Sequence, residues 1–335
     1  MRAAAVAGAA LLAAACSAVP SGDATAEPGR RVDGIAPPPA TPTRAAAGGA
    51  GGAADAPSDA RADSAASPGE VPRRGGTLHL PGAEPTTLDP HRARDVVSAE
   101  YLYEIFSGLV TLADDLRVVP DLAEGWEESP AGTVLTFTLR SGRFHDGAAV
   151  TADDVRWSLE RACDPATAPD LAATYLDDIV GCADKLDGRA ASVAGVAVDG
   201  PRRVVLTISA PRADFLAKLT YPTSFVLDRR QLEADPGWER SPNGTGPFRL
   251  AAYEPEARIR LERHAGFHGP PALLDAVEFD LRPLDPVTRF ENGELDTSPV
   301  GAADLARVQD PLNPLSRLVV QGPGDLGVSY IGFNT

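Results

Sequence analysis

The chain has 335 residues, of which 43% are hydrophobic and 23% are charged, and its formal net charge is −16. This length allows about two domains with a sizeable core. No uncharged apolar run reaches the roughly 18 residues that a membrane span needs, and a surface so negative repels nucleic acid. The composition is that of a globular protein and argues against membrane-spanning and nucleic-acid-binding classes.

The first 16 residues, MRAAAVAGAALLAAAC, have the pattern of an export signal. Arg2 supplies a positive charge, and a short apolar stretch and small residues follow before Cys16. The end of this segment resembles the lipobox of bacterial lipoproteins, although Ala13 stands where that motif prefers leucine. We expect a lipid on Cys16 that anchors the protein to the outer face of the cell membrane; an ordinary secretory or periplasmic signal with a coincidental cysteine is the alternative.

Residues 17–72 consist mainly of Ala, Gly, Pro, Ser and Thr, with almost no large apolar side chain. Such a segment cannot bury enough surface to offset the entropy lost on ordering. It is predicted to be a disordered tether that holds a folded body near the membrane. A short protein-interaction motif within it is the alternative.

The folded body begins with a predicted strand at 77–80 and a turn. Ser98 can cap a helix whose apolar residues recur at spacings of three and four. Alternation over 133–140 predicts a half-buried strand. Thr151, with Asp154 three residues later, predicts the capped start of a second helix.

After residue 190 the pattern changes to strands joined by turns and short helices. Alternating apolar residues predict strands around 204–208, 248–250, 259–261 and 277–281, and helices are predicted around 215–219 and 287–290. This interleaving predicts a mixed α/β body and argues against a helical bundle or a β-sandwich.

Cys163 and Cys182 are the cysteines of the predicted body. Since an exported protein resides where disulfides persist, we favour a bond between them over two free thiols. The closed loop of about 20 residues would contribute on the order of 3 kcal/mol.

Three histidines are candidates for metal ligands. His264 and His268 stand four apart, as on a metal-binding helix, but Gly266 lies between them and two prolines follow. We therefore predict a surface loop there and a turn at His145, and no metal site.

Five segments, taken together and in order, resemble a known family: the extracytoplasmic solute-binding proteins, family 5, which serve dipeptide and oligopeptide ABC importers. They are EPTTLDP, PDLAEGW, TFTLRSGRFHDG, VTADDVRWSLERACDP and NGTGPFRL. The resemblance covers roughly residues 73 to 335. HAGFH departs from the family, which usually has an Asn-Pro-x-Tyr-Trp-like segment at this place.

The resemblance implies an α/β, periplasmic-binding-protein-like fold of class II with an enlarged first lobe, and ligand binding without a cofactor or chemistry on the ligand. It implies the following division: 1–16 as lipoprotein signal peptide, 17–72 as tether, 73–90 and 200–300 as domain I, 91–199 as an inserted subdomain of domain I, and 301–335 as the hinge and start of the second lobe. Because the chain stops at Thr335, we expect the second lobe to be largely missing.

The resemblance also implies six ligand-binding residues, each with a surface or packing role as the alternative. They are Arg94, Val96, Asp170, Leu171, Tyr330 and Asn334.

The implied function is capture of short peptides, or a similar small solute, outside the cell and delivery to the transmembrane subunits of an ABC permease. The alternative is an exported lipoprotein without ligand binding, either a remnant or an interaction module. A secreted hydrolase is third, because the sequence contains no G-x-S-x-G, H-E-x-x-H or dinucleotide fingerprint.

Overall fold

The computed structural model describes residues 73–320. In chain order, its strands are β1 (Thr77–Pro81), β2 (Val110–Leu112), β3 (Val118–Pro120), β4 (Ala123–Glu128), β5 (Val134–Leu139), β6 (Val196–Val198), β7 (Arg203–Thr207), β8 (Phe248–Glu254), β9 (Arg258–Arg263) and β10 (Ala276–Asp280). Its α-helices are α1 (Val96–Ile105), α2 (Ala152–Ala162), α3 (Pro169–Tyr175), α4 (Cys182–Leu186), α5 (Phe215–Lys218), α6 (Arg229–Ala234), α7 (Pro286–Glu291) and α8 (Ala302–Gln309). Strands and helices are interleaved, which confirms the predicted mixed α/β class.

The first sheet has the order β1-β10-β9-β8, with β1 parallel to β10 and the other pairs antiparallel. Helix α1 belongs to the core of this sheet, where Tyr101, Leu102 and Ile105 are buried together with Phe279. The ring of Tyr101 meets that of Phe279 edge to face at 4.9 Å. The apolar stripe of α1 therefore serves the first sheet.

The second sheet is antiparallel, with the order β4-β5-β7-β6. In β5 the buried residues are Leu135, Phe137 and Leu139, which confirms the predicted alternation. Helix α2 is amphipathic, and its Val155 and Leu159 are buried in the same core.

Two elements pack apart from the segments to which the family resemblance assigns them. Strand β7 was assigned to domain I with 200–300, but it lies inside the second sheet between β5 and β6, where Val204 and Leu206 are fully buried. The resemblance places helix α1 in the subdomain with 91–199, but the helix packs in the apolar core of the first sheet. The chain crosses between the sheets more often than a division into successive segments allows.

The sequence predicts the start of α2 correctly but misplaces the start of α1. Asp95, not Ser98, caps α1, because its carboxylate accepts from the Ser98 backbone N–H at 2.8 Å. The Ser98 hydroxyl instead accepts from the Thr86 N–H at 3.0 Å. The capping box of Thr151 and Asp154 at α2 is confirmed, since both reciprocal bonds are present.

The NGTGPF segment packs tightly against the last turn of α1. The Gly246 N–H donates to the Ile105 carbonyl at 2.8 Å. A Cβ on Gly246 would lie 2.2 Å from the Glu104 carbonyl oxygen, and one on Gly244 would lie 2.0 Å from that of Ile105. Glycine is needed at both positions for this close backbone approach, and the segment leads directly into β8 at Phe248.

Candidate functional site

A buried ion pair joins the turn at Leu88, Asp89 and Pro90, here called the LDP turn, to α2. Arg161 places Nη1 3.1 Å from Asp89 Oδ1 and Nη2 2.5 Å from Oδ2. The Asp89 side chain is 1% exposed and that of Arg161 is 16% exposed. Such a bidentate pair is short, strong and directional. The turn after Asp89 is thereby held in a fixed position on α2.

His91 extends this pair to a third segment. Its Nδ1 lies 3.0 Å from Arg161 Nη1 and its Nε2 lies 2.9 Å from the Phe225 carbonyl oxygen. Because a guanidinium can only donate, Nδ1 accepts, and Nε2 carries the proton and donates to Phe225. Burial, with a contribution from the Arg161 charge, lowers the pKa of His91 to about 4. His91 is therefore neutral near pH 7 and fixes the LDP turn on both sides.

The anchored turn carries Arg94, which pairs with Asp170 on α3. The Nε–Oδ2 distance is 2.9 Å and the Nη2–Oδ1 distance is 2.5 Å. The two side chains are 55% and 60% exposed. Their hydrogen bond lowers the pKa of the Asp170 carboxyl and raises that of the Arg94 guanidinium. Both remain charged, and both are accessible to a ligand.

Tyrosine rings lie beside this ion pair. Tyr175, at the end of α3, stacks on Tyr221 with ring centroids 3.9 Å apart and planes within 5°. Tyr221 interacts electrostatically with Arg94 and with Tyr103 on α1. All three tyrosines are half-buried, and burial raises the pKa of Tyr103. We call Arg94, Tyr103, Asp170, Tyr175 and Tyr221 the charged aromatic wall.

A disulfide bond encloses the α3 part of this wall. Cys163 and Cys182 are bonded, with Cα atoms 5.4 Å apart, as the sequence analysis favoured. Both are fully buried. The bond ties the end of α2 to the start of α4, so that α3 lies in a closed loop whose two ends are fixed.

The predicted ligand residues have different surroundings. Arg94 and Asp170 contact each other, and Val96 is partly exposed at the first residue of α1. Leu171 is buried and packs in the interior. Tyr330 and Asn334 lie outside the described residues, as does Cys16, the predicted lipidation site.

The sequence analysis missed the three tyrosines of the charged aromatic wall. Tyr175 lies in the same segment as Asp170, and that proximity was the available signal. Tyr103 and Tyr221 are far apart in the chain and carried no local signal, because only tertiary packing brings them together.

The prediction of a surface loop at the HAGFH segment is wrong for its histidines. His264 is buried, and the His268 side chain, only 2% exposed, lies with Nε2 2.8 Å from Asp121 Oδ1. His145 forms the predicted turn, but its ring packs edge to face on that of His264 at 4.8 Å. Among residues 73–320, no group of three or more His, Cys, Asp or Glu side chains is arranged to hold a metal ion.

A profile of bacterial extracellular solute-binding proteins, family 5 (middle region), matches residues 117–335. The chain belongs to this family. Family 5 proteins bind solutes and are not enzymes. Within the part of this family member that the structure describes, no helix is long and apolar enough to cross a membrane.

Curated relatives of this family 5 chain include two named for peptide ligands. The periplasmic oligopeptide-binding protein OppA of Haemophilus influenzae is 27% identical over 258 residues, which are 74% of this chain and 46% of OppA. The glutathione-binding protein GsiB of Salmonella typhi is 30% identical over 190 residues, 56% of this chain and 34% of GsiB. The chain thus spans about half or less of the length of these relatives.

Solved structures of the family have the same fold over the shared part. The crystal structure of H. influenzae OppA in complex with the peptide RPPGFSPFR has a TM-score of 0.65 and 25% identity, covering 72% of this chain and 49% of OppA. AgaA of A. tumefaciens R10, in complex with agropinic acid, has a TM-score of 0.62 and 27% identity, covering 71% of this chain and 46% of AgaA.

Proposed function

We propose that this family 5 protein is the substrate-binding component of an ABC importer, which captures short peptides or a similar small solute outside the cell and delivers them to the permease. The observation that carries the proposal is the charged aromatic wall, with its accessible ion pair. A short peptide has one cationic end, one anionic end and apolar side chains, and the wall offers a complementary group for each.

The proposed binding step exchanges partners within the wall. The guanidinium of Arg94 turns from Asp170 to the carboxylate of the ligand, and Asp170 accepts from the ligand ammonium. Each new contact is a charge-assisted hydrogen bond, and the tyrosine rings cover apolar parts of the ligand. Val96 contributes apolar contact at the edge, while Tyr330 and Asn334 are proposed to contact the ligand from the hinge.

Affinity in such a protein comes from closing two lobes over the ligand, which shifts the protein towards a closed state that the permease recognises. One wall alone leaves the ligand half hydrated. Losing a few charged hydrogen bonds, each worth about 1.5–3 kcal/mol, weakens a micromolar site to millimolar, since about 1.4 kcal/mol is a factor of ten. Because the match covers only 46% of OppA, we expect these 335 residues by themselves to bind di- to pentapeptides weakly.

Titration calorimetry with a mixture of di- to pentapeptides tests the proposal, first on the 335-residue chain and then on the complete product of its gene, whatever its length. Arg94→Gln removes the guanidinium from the wall. Because the Arg94–Asp170 pair is largely exposed, the fold should lose only about 0–1 kcal/mol. The matched control is Arg117→Gln, which breaks an exposed pair with Asp115 outside the wall.

We expect Arg94→Gln to weaken peptide binding by about tenfold or more and Arg117→Gln to leave it unchanged. Equal affinities in the two variants would show that the ion pair is not part of the site. Absence of binding by every form would remove the peptide proposal and favour the alternative of an exported protein without a ligand. Tight binding by the 335-residue chain would show that the ligand site is complete without a second wall.

The location of the protein is a separate part of the proposal. Lipidation of Cys16 would hold it at the outer face of the cell membrane, close to the permease, in keeping with the extracellular family. In a bacterium that processes lipoproteins, Cys16→Ala should move the protein from the membrane fraction to the medium. Identical partitioning of the two forms would refute the lipid anchor.

A further inference from the structure

Three buried or half-buried histidines lie together where the first sheet meets the second. His264 and His268 follow β9 of the first sheet, whereas His145 lies in the turn that precedes α2 of the second core. Asp121, the acidic partner of His268, lies between β3 and β4. The contacts among these residues therefore run from one half of the described structure to the other.

Two of the histidines share one acceptor. His145 Nε2 and His264 Nδ1 each lie 3.2 Å from the carbonyl oxygen of Gly246. A carbonyl only accepts, so both nitrogens carry a proton and donate, and each ring is neutral with one bare nitrogen. The bare Nδ1 of His145 is buried and has no hydrogen-bond partner.

The backbone reinforces this arrangement. The His145 N–H donates to the Gly244 carbonyl at 2.9 Å, and the His264 N–H donates to the Pro247 carbonyl at 2.8 Å. Residues 242–247 are thus held from both sides, by one loop of each sheet. The same residues close against the last turn of α1 through the Gly246 N–H.

His268 binds Asp121 in the same way, with one nitrogen in use. Its Nε2 lies 2.8 Å from Asp121 Oδ1, and the side chains are 2% and 9% exposed. The Nδ1 of His268 is buried and has no hydrogen-bond partner.

The surroundings of His145 and His264 oppose protonation of the two rings. Burial is the main cause that lowers the pKa of His145, to about 4, and the neighbouring His264 adds to it. Burial likewise lowers the pKa of His264, with contributions from His268 and Arg249. The charged groups around the cluster are Arg249 on β8, Asp146, Asp228 and Arg230 beside His145, and Asp121 beside His268.

We propose that His145 and His264, which share the Gly246 carbonyl, form an acid-sensitive clasp between the two sheets. When its histidines are neutral, the histidine clasp holds residues 242–247 in place; when they take up protons, it releases them.

The release of residues 242–247 follows from the surroundings of the ring nitrogens that take up the protons. The second proton of His145 must enter Nδ1, which is buried without a hydrogen-bond partner. The Pro242 backbone favours the cation there, but burial, His264 and Arg249 oppose it, so protonation leaves a poorly compensated charge in the interior. Protonation of His264 places a second cation about 5 Å away from the first, near Arg249. Asp228 and Asp146 are already engaged by Arg230, and Asp121 by His268. Separation of the two loops lets the cationic rings reach water.

Hydrogen exchange followed by mass spectrometry between pH 7 and pH 4, corrected for the intrinsic rate, tests the histidine clasp on the 335-residue chain. The double variant His145→Gln, His264→Asn keeps an N–H at the places of the donating Nε2 and Nδ1 but cannot take up a proton. The matched control is His79→Gln, at the edge of the first sheet, where His79 pairs with Asp296. Because His91 titrates in the same range, peptides covering 88–94 are measured separately.

In the wild type and in the His79→Gln control, exchange in residues 242–247 should accelerate on the order of tenfold or more as the pH falls. In the double variant this acceleration should be absent, while that of 88–94 persists. An acceleration in 242–247 that is the same in the double variant would overturn the proposal. If the double variant does not fold at pH 7, NMR titration of the wild-type histidines decides: midpoints of His145 and His264 that coincide with release support the clasp, and protonation without release refutes it.

Discussion

Removing the buried cation Arg161 should strongly destabilise the protein. In Arg161→Ala, the Asp89 side chain, which is 1% exposed, loses both hydrogen bonds from the guanidinium and keeps the one from the His91 N–H. His91 loses the donor to its Nδ1 at the same time. Breaking a buried pair by removing one partner costs about 3–5 kcal/mol, and we expect the lower end of this range because Arg92 Nε remains 3.5 Å from Asp89 Oδ2.

A control substitution on α2 separates the cost of breaking the buried pair from the cost of losing a helical arginine. Arg156 lies on the same helix and pairs with Asp153 at 2.8 Å, but both side chains are largely exposed. Arg156→Ala should therefore cost about 0–1 kcal/mol. The double variant Asp89→Asn, Arg161→Ala removes the stranded charge and should be less destabilised than Arg161→Ala.

Urea unfolding measures all three free energies of unfolding, since urea does not screen the ion pair as a salt would. Trp238 is a suitable fluorescence probe because it is buried and lies 5.9 Å from the Arg161 guanidinium. A cost for Arg161→Ala as small as that for Arg156→Ala would refute the claim that this pair anchors the LDP turn. A double variant less stable than Arg161→Ala would also refute this claim.

Three further predictions concern stability. Replacing Cys163 and Cys182 by serine should lower the free energy of unfolding by about 3 kcal/mol, and a non-reduced digest of the wild type should contain the linked peptides. Gly246→Ala should cost about 1–3 kcal/mol because its Cβ meets backbone at 2.2 Å, whereas Gly301→Ala, with no atom within 4 Å of its Cβ, should cost less, and only through the weaker N-cap of α8. Because burial lowers the pKa of His91 from 6.5 to about 4, the unfolded state binds more protons between these values, and His91 alone should lower the stability by about 3 kcal/mol from pH 6.5 to 4, in addition to the contribution of His145; His91→Gln should reduce this slope.

Local patterns in the sequence were sufficient for most elements of the fold. The alternation in β5 and the capping box of α2 depend on neighbouring residues, and both are present as predicted. The start of α1 was misplaced because two acceptable caps, Asp95 and Ser98, lie three residues apart, and the LDP turn decides between them by using the Ser98 hydroxyl.

The candidate site was less accessible to sequence reasoning. Family resemblance pointed to Arg94 and Asp170, which do lie together, but it gave no reason to expect the stack of Tyr175 on Tyr221. The histidines of the clasp illustrate the same limit, because glycine and proline around His264 indicate a loop without indicating whether its side chains are buried.

The parallel pairing of β1 with β10 has a consequence for how an exported chain reaches its native state. The residues at this junction are 199 positions apart, whereas all strands of the second sheet lie within residues 123–207. Contacts between distant residues form slowly because a long loop must close first. The second sheet is complete by residue 207, so it can form while the apolar residues of β1 are unpaired, and β1 has no partner strand until residues 276–280 of β10 are available.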